Sequence, residues 1–529
     1  MALAHPTGSR PVYTASSPPS SYRDDESTPW ALAFAADVAQ LRSEGVSYQD
    51  SADFLRALVR KSSLRFTDIR EDPARFFLAH RLLAKLAPEH GPGFWIRFTV
   101  QFNLFAGTVM ALGGPAQLAE LDAIQRRGEL GSFCLTERFA GVNSGLVVNT
   151  TATWDPLSQE FVIHSPNEGA WKNWISQGLT AERAVVIADL RVGEQRLGPH
   201  GFLVDMVDPA TSRPHPGIVT SDMGRKTTGL DLDNACVRFD HLRVPKGALL
   251  NRFGNILGDQ YVPVAKGIRT MDMIGQRLFT GRVAVAQAAL TFARKLFAST
   301  RTYSDAKLCA MRGDAPALSD VPQLRALYDE ADAALDEMDA FVGMCEVHLR
   351  QCLVADTIPS AELTRAIAVS KIRAVETCIE LCFRLKQEVG SYALMDGTGF
   401  GHTDFLQCCK FAEGDSRILS QKLSRDAFAE YTKAGGRPCT GWSPEEVAAC
   451  GRVAGVMRAE AERGVDRARA WDAAWRDVYA LAAAVCDRVM GEWTTAHSPL
   501  GDGVGVGGVG VGGVAGGSVT TVTARRARM

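Results

Sequence analysis

Residues 145–166 read "GLVVNTTATWDPLSQEFVIHSP". Two runs rich in β-branched and aromatic residues flank a turn marked by Asp, Pro and Ser, which is typical of a hairpin. Further runs of the same kind follow at 183–192 ("RAVVIADLRV"), 200–207 ("HGFLVDMV") and 235–244 ("ACVRFDHLRV"). This pattern predicts antiparallel strands that form a compact β-barrel or sandwich over residues 131–251.

Helical periodicity surrounds this β-region on both sides. Residues 30–45 ("WALAFAADVAQLRSEG") and 73–87 ("PARFFLAHRLLAKLA") carry apolar residues at helical spacing. Longer helical patterns follow the β-region, at 322–350 and 361–387. Helices of such length suit a four-helix bundle, in which they pack through their apolar faces.

These patterns predict an α+β protein with three main domains. The predicted segments are a disordered leader (1–29), an N-terminal helical domain (30–130), a central antiparallel β-barrel (131–251), a C-terminal four-helix bundle (266–435), an extra helical segment (443–497) and a Gly/Val-rich flexible tail (498–529).

Composition excludes several classes of function. The formal net charge is −2, without the basic excess of a nucleic-acid-binding protein. No run reaches the ~18 apolar residues of a membrane-spanning helix, and the N-terminus lacks the apolar core of a secretory signal. We therefore expect a soluble, intracellular protein. The twelve cysteines have irregular spacings, and Cys378 and Cys382 lack two further ligands at a recognisable spacing, so we predict reduced thiols and no metal site.

Several segments, in the correct order, resemble the peroxisomal acyl-CoA oxidases. They are residues 102–145, which end in "CLTERFAGVNSG", residues 150–166 ("TTATWDPLSQEFVIHSP") and residues 237–254 ("VRFDHLRVPKGALLNRFG"). The resemblance extends over about residues 65–435. It implies the acyl-CoA dehydrogenase-like fold, with FAD between barrel and bundle and a neighbouring subunit of a homodimer completing the FAD site.

Two motifs in the β-region are candidates for flavin contacts. In "CLTERFAGVNSG" the strand end and the glycine-containing loop could expose backbone N–H groups to a polar ligand, or could be an ordinary turn. The resemblance implies flavin contacts for Thr136 and Gly141. In "KNWISQG" it implies them for Trp174 and Ser176, with Gly178 allowing close approach, although core packing is the alternative.

The motif "FLQCCKFAEGDSRIL" decides the predicted function. A glutamate near a helix start is often a solvated partner of the helix dipole. The segment resembles the "YEG" or "FEG" element of the superfamily, which makes Glu413 the catalytic base and Gly414 a substrate contact. The α-proton of an acyl thioester is weakly acidic, so it requires a nearby base whose pKa is raised by an apolar pocket. In the family the backbone N–H of this glutamate and a ribityl hydroxyl of FAD bind the thioester oxygen.

Other motifs of the family are altered. Arg301 stands near the position of an arginine that contacts the FAD pyrophosphate of a neighbouring subunit, but Ser304-Asp305 replaces the expected Phe-Gly. Gln387 and Gly390 match the double-glycine element, in which Ser391 replaces the second glycine. Arg277 lies near a substrate-side position, where a surface ion pair is equally plausible.

Three functions are compatible with these residues. The first is an FAD-dependent acyl-CoA oxidase that forms 2-trans-enoyl-CoA and passes electrons to O₂, giving H₂O₂. The second is an acyl-CoA dehydrogenase that uses an electron-transfer flavoprotein. The third is a non-catalytic acyl-CoA-binding protein. The C-terminal Ala527-Arg528-Met529 resembles a peroxisomal targeting tripeptide and favours the first.

Overall fold

The computed structural model describes residues 24–39, 47–61, 63–90, 92–140, 147–208, 210–211, 213–264, 270–309 and 315–496, with side chains left out at 24–25, 86–90, 270–277 and 496. Most of the predicted leader, the predicted tail and Gly141 lie outside these residues. Arg277 lies on the helix Thr270–Ala306, in the part whose side chains are not described. No helix within these ranges is both long and apolar enough to span a bilayer.

Fifteen α-helices form most of the described chain. They are α1 (Pro29–Val38), α2 (Tyr48–Lys61), α3 (Asp68–Glu71), α4 (Pro73–His90), α5 (Pro92–Thr99), α6 (Gly107–Leu112), α7 (Pro115–Arg127), α8 (Thr270–Ala306), α9 (Pro322–Val354), α10 (Ala361–Glu388), α11 (Phe405–Phe411), α12 (Ser416–Lys433), α13 (Pro444–Glu462), α14 (Arg467–Ala473) and α15 (Trp475–Ala496). A π-helix, Val100–Ala106, joins α5 directly to α6.

Thirteen strands lie between α7 and α8 in the residues that the structure describes. They are β1 (Gly131–Cys134), β2 (Thr151–Asp155), β3 (Glu160–His164), β4 (Lys172–Ser176), β5 (Arg183–Val192), β6 (Gln195–Asp205), β7 (Val207–Asp208), β8 (Arg213–Pro214), β9 (Ile218–Asp222), β10 (Asn234–Phe239), β11 (Leu242–Pro245), β12 (Gly254–Leu257) and β13 (Gln260–Pro263). The β12–β13 hairpin lies beyond the predicted end of the β-region at residue 251.

The strands form a curled half-barrel, so the prediction of an antiparallel β-barrel was wrong. The main sheet has the order β1-β5-β2-β3-β11, with β6 on the other edge of β5, while β4, β10 and β9 form a separate sheet. Both β1 and β2 run parallel to β5. The alternation of apolar residues predicts which face of a strand is buried. The alternation is the same whether the neighbouring strand is parallel or antiparallel, so it cannot predict the direction of pairing.

The three longest helices, α8, α9 and α10, pack against one another, and α12 packs on α10. The helices α13 and α15 form a further layer, in which α15 contacts both α10 and α12. At the junction with the β-region, the π-helix packs against β1 on one side and α8 on the other. This junction positions the candidate site.

Candidate active site

Glu413 lies in the short connection between α11 and α12, in an unusual backbone conformation. Its φ is 57°, and Gly414 follows with a φ of 96°. The left-handed region is costly for a residue with a Cβ, so the surrounding structure must hold Glu413 there. The connection thereby turns the glutamate side chain into the protein, where it is 92% buried.

The carboxylate of Glu413 has one hydrogen-bonded and one open oxygen. The Asn103 amide Nδ2 donates to Oε1 at 3.2 Å. The other oxygen, Oε2, is buried and has no hydrogen-bond partner among the described residues. An unsatisfied buried carboxylate oxygen is uncommon in folded proteins and calls for an explanation, such as a role in binding or catalysis.

Gly281 on α8 leaves the space that this carboxylate occupies. A Cβ on Gly281 would lie 2.1 Å from the Glu413 carboxyl carbon and 2.5 Å from each carboxylate oxygen. The neighbouring Arg282 donates from Nε to the backbone carbonyl of Glu413 at 3.2 Å. Consecutive residues of one helix therefore make room for the side chain and fix its backbone.

Burial raises the pKa of Glu413 to about 7, although the Asn103 hydrogen bond and the charges of Arg282 and Lys371 partly oppose this shift. Burial removes hydrating water, which destabilises the charged carboxylate more than the neutral carboxyl group and so raises the pKa. A general base works best when its pKa lies near the working pH, because it is then largely deprotonated and still basic. Glu413 meets this condition at neutral pH.

Strand β4 forms a second group of candidate residues. Trp174 has a φ of 59° and Gln177 one of 63°, so two left-handed residues that are not glycine lie within four positions. The Trp174 side chain is 58% exposed, which is high for an indole. Ser176 accepts a hydrogen bond from the Asn234 Nδ2 at 3.2 Å.

Gly178 is needed for protein packing in this structure. A Cβ on Gly178 would lie 2.6 Å from the Cβ of Ala235 on β10. The missing side chain of Gly178 therefore allows a close contact with β10, and its predicted role beside the flavin stays a prediction.

Thr136 lies beside the Trp174 strand, because the Asn173 N–H donates to the Thr136 carbonyl at 2.9 Å. Its neighbour Glu137 forms a fully buried ion pair with Lys172 at 3.0 Å. This ion pair cross-links the two segments that carry the predicted flavin contacts. Sequence reasoning missed it, although each partner stands next to or within a quoted motif.

The π-helix connects the β-region to Glu413. The side-chain oxygen of Gln101 accepts hydrogen bonds from the Gly131 N–H at 2.7 Å and from the Gln177 Nε2 at 3.4 Å. Two residues later, Asn103 contacts Glu413. Segments of π-helix occur frequently at functional sites. Sequence reasoning missed both residues, although they are the two polar residues in the otherwise apolar run at 100–107.

Arg301, Gln387 and Gly390 are not brought to Glu413 within one chain. Arg301 forms an ion pair with Asp332 at 2.8 Å and lies over the Tyr328 ring. Gln387 and Gly390 are exposed. Since an α-helix rises about 1.5 Å per residue, the 16 positions from Lys371 to Gln387 on α10 separate them by roughly 24 Å. Gln387 and Gly390 therefore lie near the C-terminal end of α10, far from Glu413. We call this part of the packed helices the far end of the helix layer.

One cluster of possible metal ligands, among the described residues, lies on the β-region surface and comprises His164, Asp240 and His241. The two imidazole rings are stacked, with centroids 3.9 Å apart and planes 25° apart. An imidazole binds a metal through a lone pair in its ring plane, so nearly parallel rings direct their lone pairs side by side. This arrangement does not converge on one ion.

The chain is similar to several known acyl-CoA oxidases. The chain matches no protein-family profile. It is 29% identical to peroxisomal acyl-coenzyme A oxidase 2 of Arabidopsis thaliana over 414 residues, covering 74% of this chain and 58% of that protein. It is 32% identical to peroxisomal acyl-coenzyme A oxidase 3 of Homo sapiens over 350 residues, covering 62% of this chain and 49% of that protein. The chain thus spans about half the length of these relatives.

Solved structures of acyl-CoA oxidases have the same fold. Caenorhabditis elegans acyl-CoA oxidase-2, bound with FAD, ascaroside-CoA and ATP, superposes with a TM-score of 0.73 at 18% identity, covering 90% of this chain and 77% of that chain. Arabidopsis thaliana acyl-CoA oxidase 1 gives a TM-score of 0.67 at 19% identity, covering 90% and 78%.

Proposed function

We propose that this chain, which belongs to the acyl-CoA oxidase and acyl-CoA dehydrogenase superfamily, is an FAD-dependent acyl-CoA oxidase of fatty acid β-oxidation. It converts a fatty acyl-CoA to 2-trans-enoyl-CoA and passes the electrons to O₂, giving H₂O₂. The observation that carries the proposal is the buried Glu413, with a pKa of about 7 and one carboxylate oxygen without a protein partner.

Residues around Trp174 fit a flavin ring. An indole with a largely exposed face, on a strand strained into the left-handed region, provides an apolar surface for a planar ring system. Ser176 and Thr136 lie beside it and offer hydroxyl groups for the polar edge of the ring. When bound there, FAD supplies hydride acceptance from the substrate and electron transfer to O₂.

Glu413 removes the α-proton in this reaction. The Cα–H bond breaks and the proton passes to Oε2, which has no other hydrogen bond to give up. The electron pair of that bond forms the new double bond as the β-hydrogen leaves as a hydride, for which bound FAD would be the acceptor. The backbone N–H of Glu413 and the adjacent Gly414 bind the thioester side of the substrate. Asn103 and Arg282 keep the base aligned throughout.

The far end of the helix layer supports a homodimer. Phe383, Leu394 and Met395 are exposed apolar side chains on or near the segment that holds Gln387 and Gly390. Clustered exposed apolar residues commonly mark protein interfaces. We infer that this surface packs against a second copy, where Gln387 and Gly390 would help to hold the FAD of that copy. Arg301 can take part only if its ion pair with Asp332 rearranges.

Peroxide formation tests the proposed function. Purified, FAD-loaded protein is mixed under air with saturated acyl-CoAs of different chain lengths, and H₂O₂ and enoyl-CoA are measured together. An oxidase gives both in equal amounts. Enoyl-CoA that accumulates only when an electron-transfer flavoprotein is added identifies a dehydrogenase. Ligand binding without either product identifies a non-catalytic protein.

Replacing Trp174 with Ala, or Ser176 with Ala, is expected to lower flavin content or shift the flavin absorbance, while the melting temperature changes little. Trp174 is exposed, so its removal costs little packing. Exposed Leu157, on the β2–β3 turn, provides a matched control as Leu157→Ala. Unchanged flavin content and spectra in both variants would assign the strand a purely structural role.

Removing Ala527, Arg528 and Met529 is expected to leave activity intact and to move the protein from peroxisomes to the cytosol. We propose peroxisomal targeting because the relatives are named peroxisomal and the tripeptide keeps the small, basic, apolar order of the targeting signal. Fluorescent fusions of residues 498–529, with and without the tripeptide, are compared in plant or algal cells. A diffuse signal from the intact tail contradicts the assignment.

A further inference from the structure

We propose that Lys371 is a positioning residue whose buried ammonium group holds the connection between α11 and α12, and thereby holds Glu413 in place for proton abstraction. The inference rests on the proposed function, because it takes Glu413 to be the catalytic base. It concerns a residue on α10 that neither the quoted motifs nor the predicted contacts include.

Lys371 ties together both sides of the Glu413 connection. Its Nζ donates to the Lys410 carbonyl at 2.5 Å, to the Gly414 carbonyl at 2.9 Å and to the Ser416 hydroxyl at 3.1 Å. Lys410 precedes Glu413 near the end of α11, while Gly414 and Ser416 follow it. An ammonium group has three N–H donors, so one side chain supplies every hydrogen bond in this arrangement.

The position is costly for a charged group, which indicates a specific role. The Lys371 side chain is fully buried, and among the described residues no carboxylate lies within 4 Å of its Nζ. The nearest acidic group on its own helix, Glu376, is paired with Lys410 at 2.8 Å. Burying an ammonium group without an ion-pair partner is unfavourable, and here only carbonyl and hydroxyl oxygens compensate for its lost hydration.

The connection needs such a restraint because its backbone is strained. Glu413 and Gly414 both have a positive φ, and only Gly414 adopts it at little cost. Arg282 fixes the Glu413 carbonyl at 3.2 Å, and Lys371 fixes the carbonyls on either side of it. Without Lys371 the connection can relax, and the carboxylate then leaves the space opposite Gly281.

The charge of Lys371 also acts on the base. Burial lowers the pKa of Lys371; Cys409, Asp415 and Glu376 act against this shift, and the positive charge of Arg282 adds to it. The positive charges of Lys371 and Arg282 both lower the pKa of Glu413. Removing the Lys371 charge must therefore raise the proton affinity of Glu413, which a purely structural side chain would leave unchanged.

Lys371→Met tests the proposal, because methionine is of similar size and lacks both the donors and the charge. We expect kcat to fall on the order of 10²-fold, the effect of displacing a catalytic group by about 1 Å. FAD content and KM should change little. The exposed Lys422, paired with Asp426 on α12, provides the control Lys422→Met, for which wild-type kinetics are expected.

A second readout is independent of turnover. The protonated carboxyl of Glu413 is titrated by infrared difference spectroscopy, with Glu413→Gln as the blank. In Lys371→Met the titration midpoint should move to higher pH, since the positive charge of Lys371 lowers the pKa of the Glu413 carboxyl. The measurement remains valid if the protein has no oxidase activity, so a failure of the proposed function is distinguishable from a failure of this inference.

Ser416→Ala covers the case in which Lys371→Met does not fold. It removes one of the three acceptors and keeps the charge, so we expect kcat to fall about 10-fold, the effect of losing one hydrogen bond to a charged group, with the midpoint of Glu413 unchanged. The inference is wrong if Lys371→Met keeps wild-type kcat. It is equally wrong if kcat falls only in proportion to bound FAD while the midpoint stays in place, or if Ser416→Ala has no effect on kcat.

Discussion

Replacing Glu413 with Gln lowers kcat by about 10²–10⁴-fold while FAD stays bound, if Glu413 is the base. The amide keeps the shape of the side chain, and its oxygen can still accept the hydrogen bond from Asn103. It cannot accept the α-proton. Peroxide formation and flavin absorbance are measured in the same preparations, so that loss of activity is not confused with loss of cofactor. A variant that keeps more than about a tenth of the wild-type rate would show that another group is the base.

The pH dependence of the wild type and of Glu413→Gln gives a second check on the role of Glu413. Only deprotonated Glu413 can act as a base, so kcat/KM of the wild type should rise as pH increases through about 7. Burial holds the proton on Glu413 in the folded state, whereas the unfolded chain releases it near pH 4.5. Between these values folding takes up a proton, and stability conferred by protonated Glu413 is lost as pH rises. The melting temperature of the wild type should therefore fall relative to Glu413→Gln over this range.

The sequence was sufficient to predict several individual elements and their positions. The quoted hairpin forms as β2 and β3, and the helical patterns at 322–350 and 361–387 lie within α9 and α10. These predictions succeeded because periodicity reports directly on which residues face the core. The curvature of the sheet and the parallel pairing of β5 with β1 and β2 depend on long-range connections, which periodicity does not encode.

The candidate site was predicted in part, for a related reason. The "FAEGD" motif led to Glu413, but the residues that define its chemistry are distant in sequence. Asn103 is 310 positions away and Arg282 is 131. Nothing local distinguishes a lysine that pairs on the surface from Lys371, or a helical glycine that weakens α8 from one that makes room for a carboxylate. Those distinctions require the packing of α8, α10 and the π-helix around one connection.

Replacing Gly281 with Ala is the second change for which we expect a large loss of activity. In Gly281→Ala the new Cβ would lie 2.1 Å from the Glu413 carboxyl carbon, far inside the ~3.5–4.0 Å of an ordinary carbon contact. The atoms it meets belong to the end of a flexible side chain, so the carboxylate can rotate away with little loss of stability. That displacement exceeds 1 Å, and we expect kcat to fall on the order of 10²-fold.

The matched control is Gly455→Ala on α13, where a Cβ would meet nothing within 4 Å. Alanine in place of a helical glycine stabilises by about 0.5–1 kcal/mol, so the control should melt at a slightly higher temperature with unchanged kcat. In Gly281→Ala, FAD content and melting temperature should stay close to those of the wild type while turnover is lost. This separation of activity from stability follows only if the carboxylate must occupy the space opposite Gly281 to react. Wild-type turnover in Gly281→Ala would mean that Glu413 works from another position, or that it is not the base.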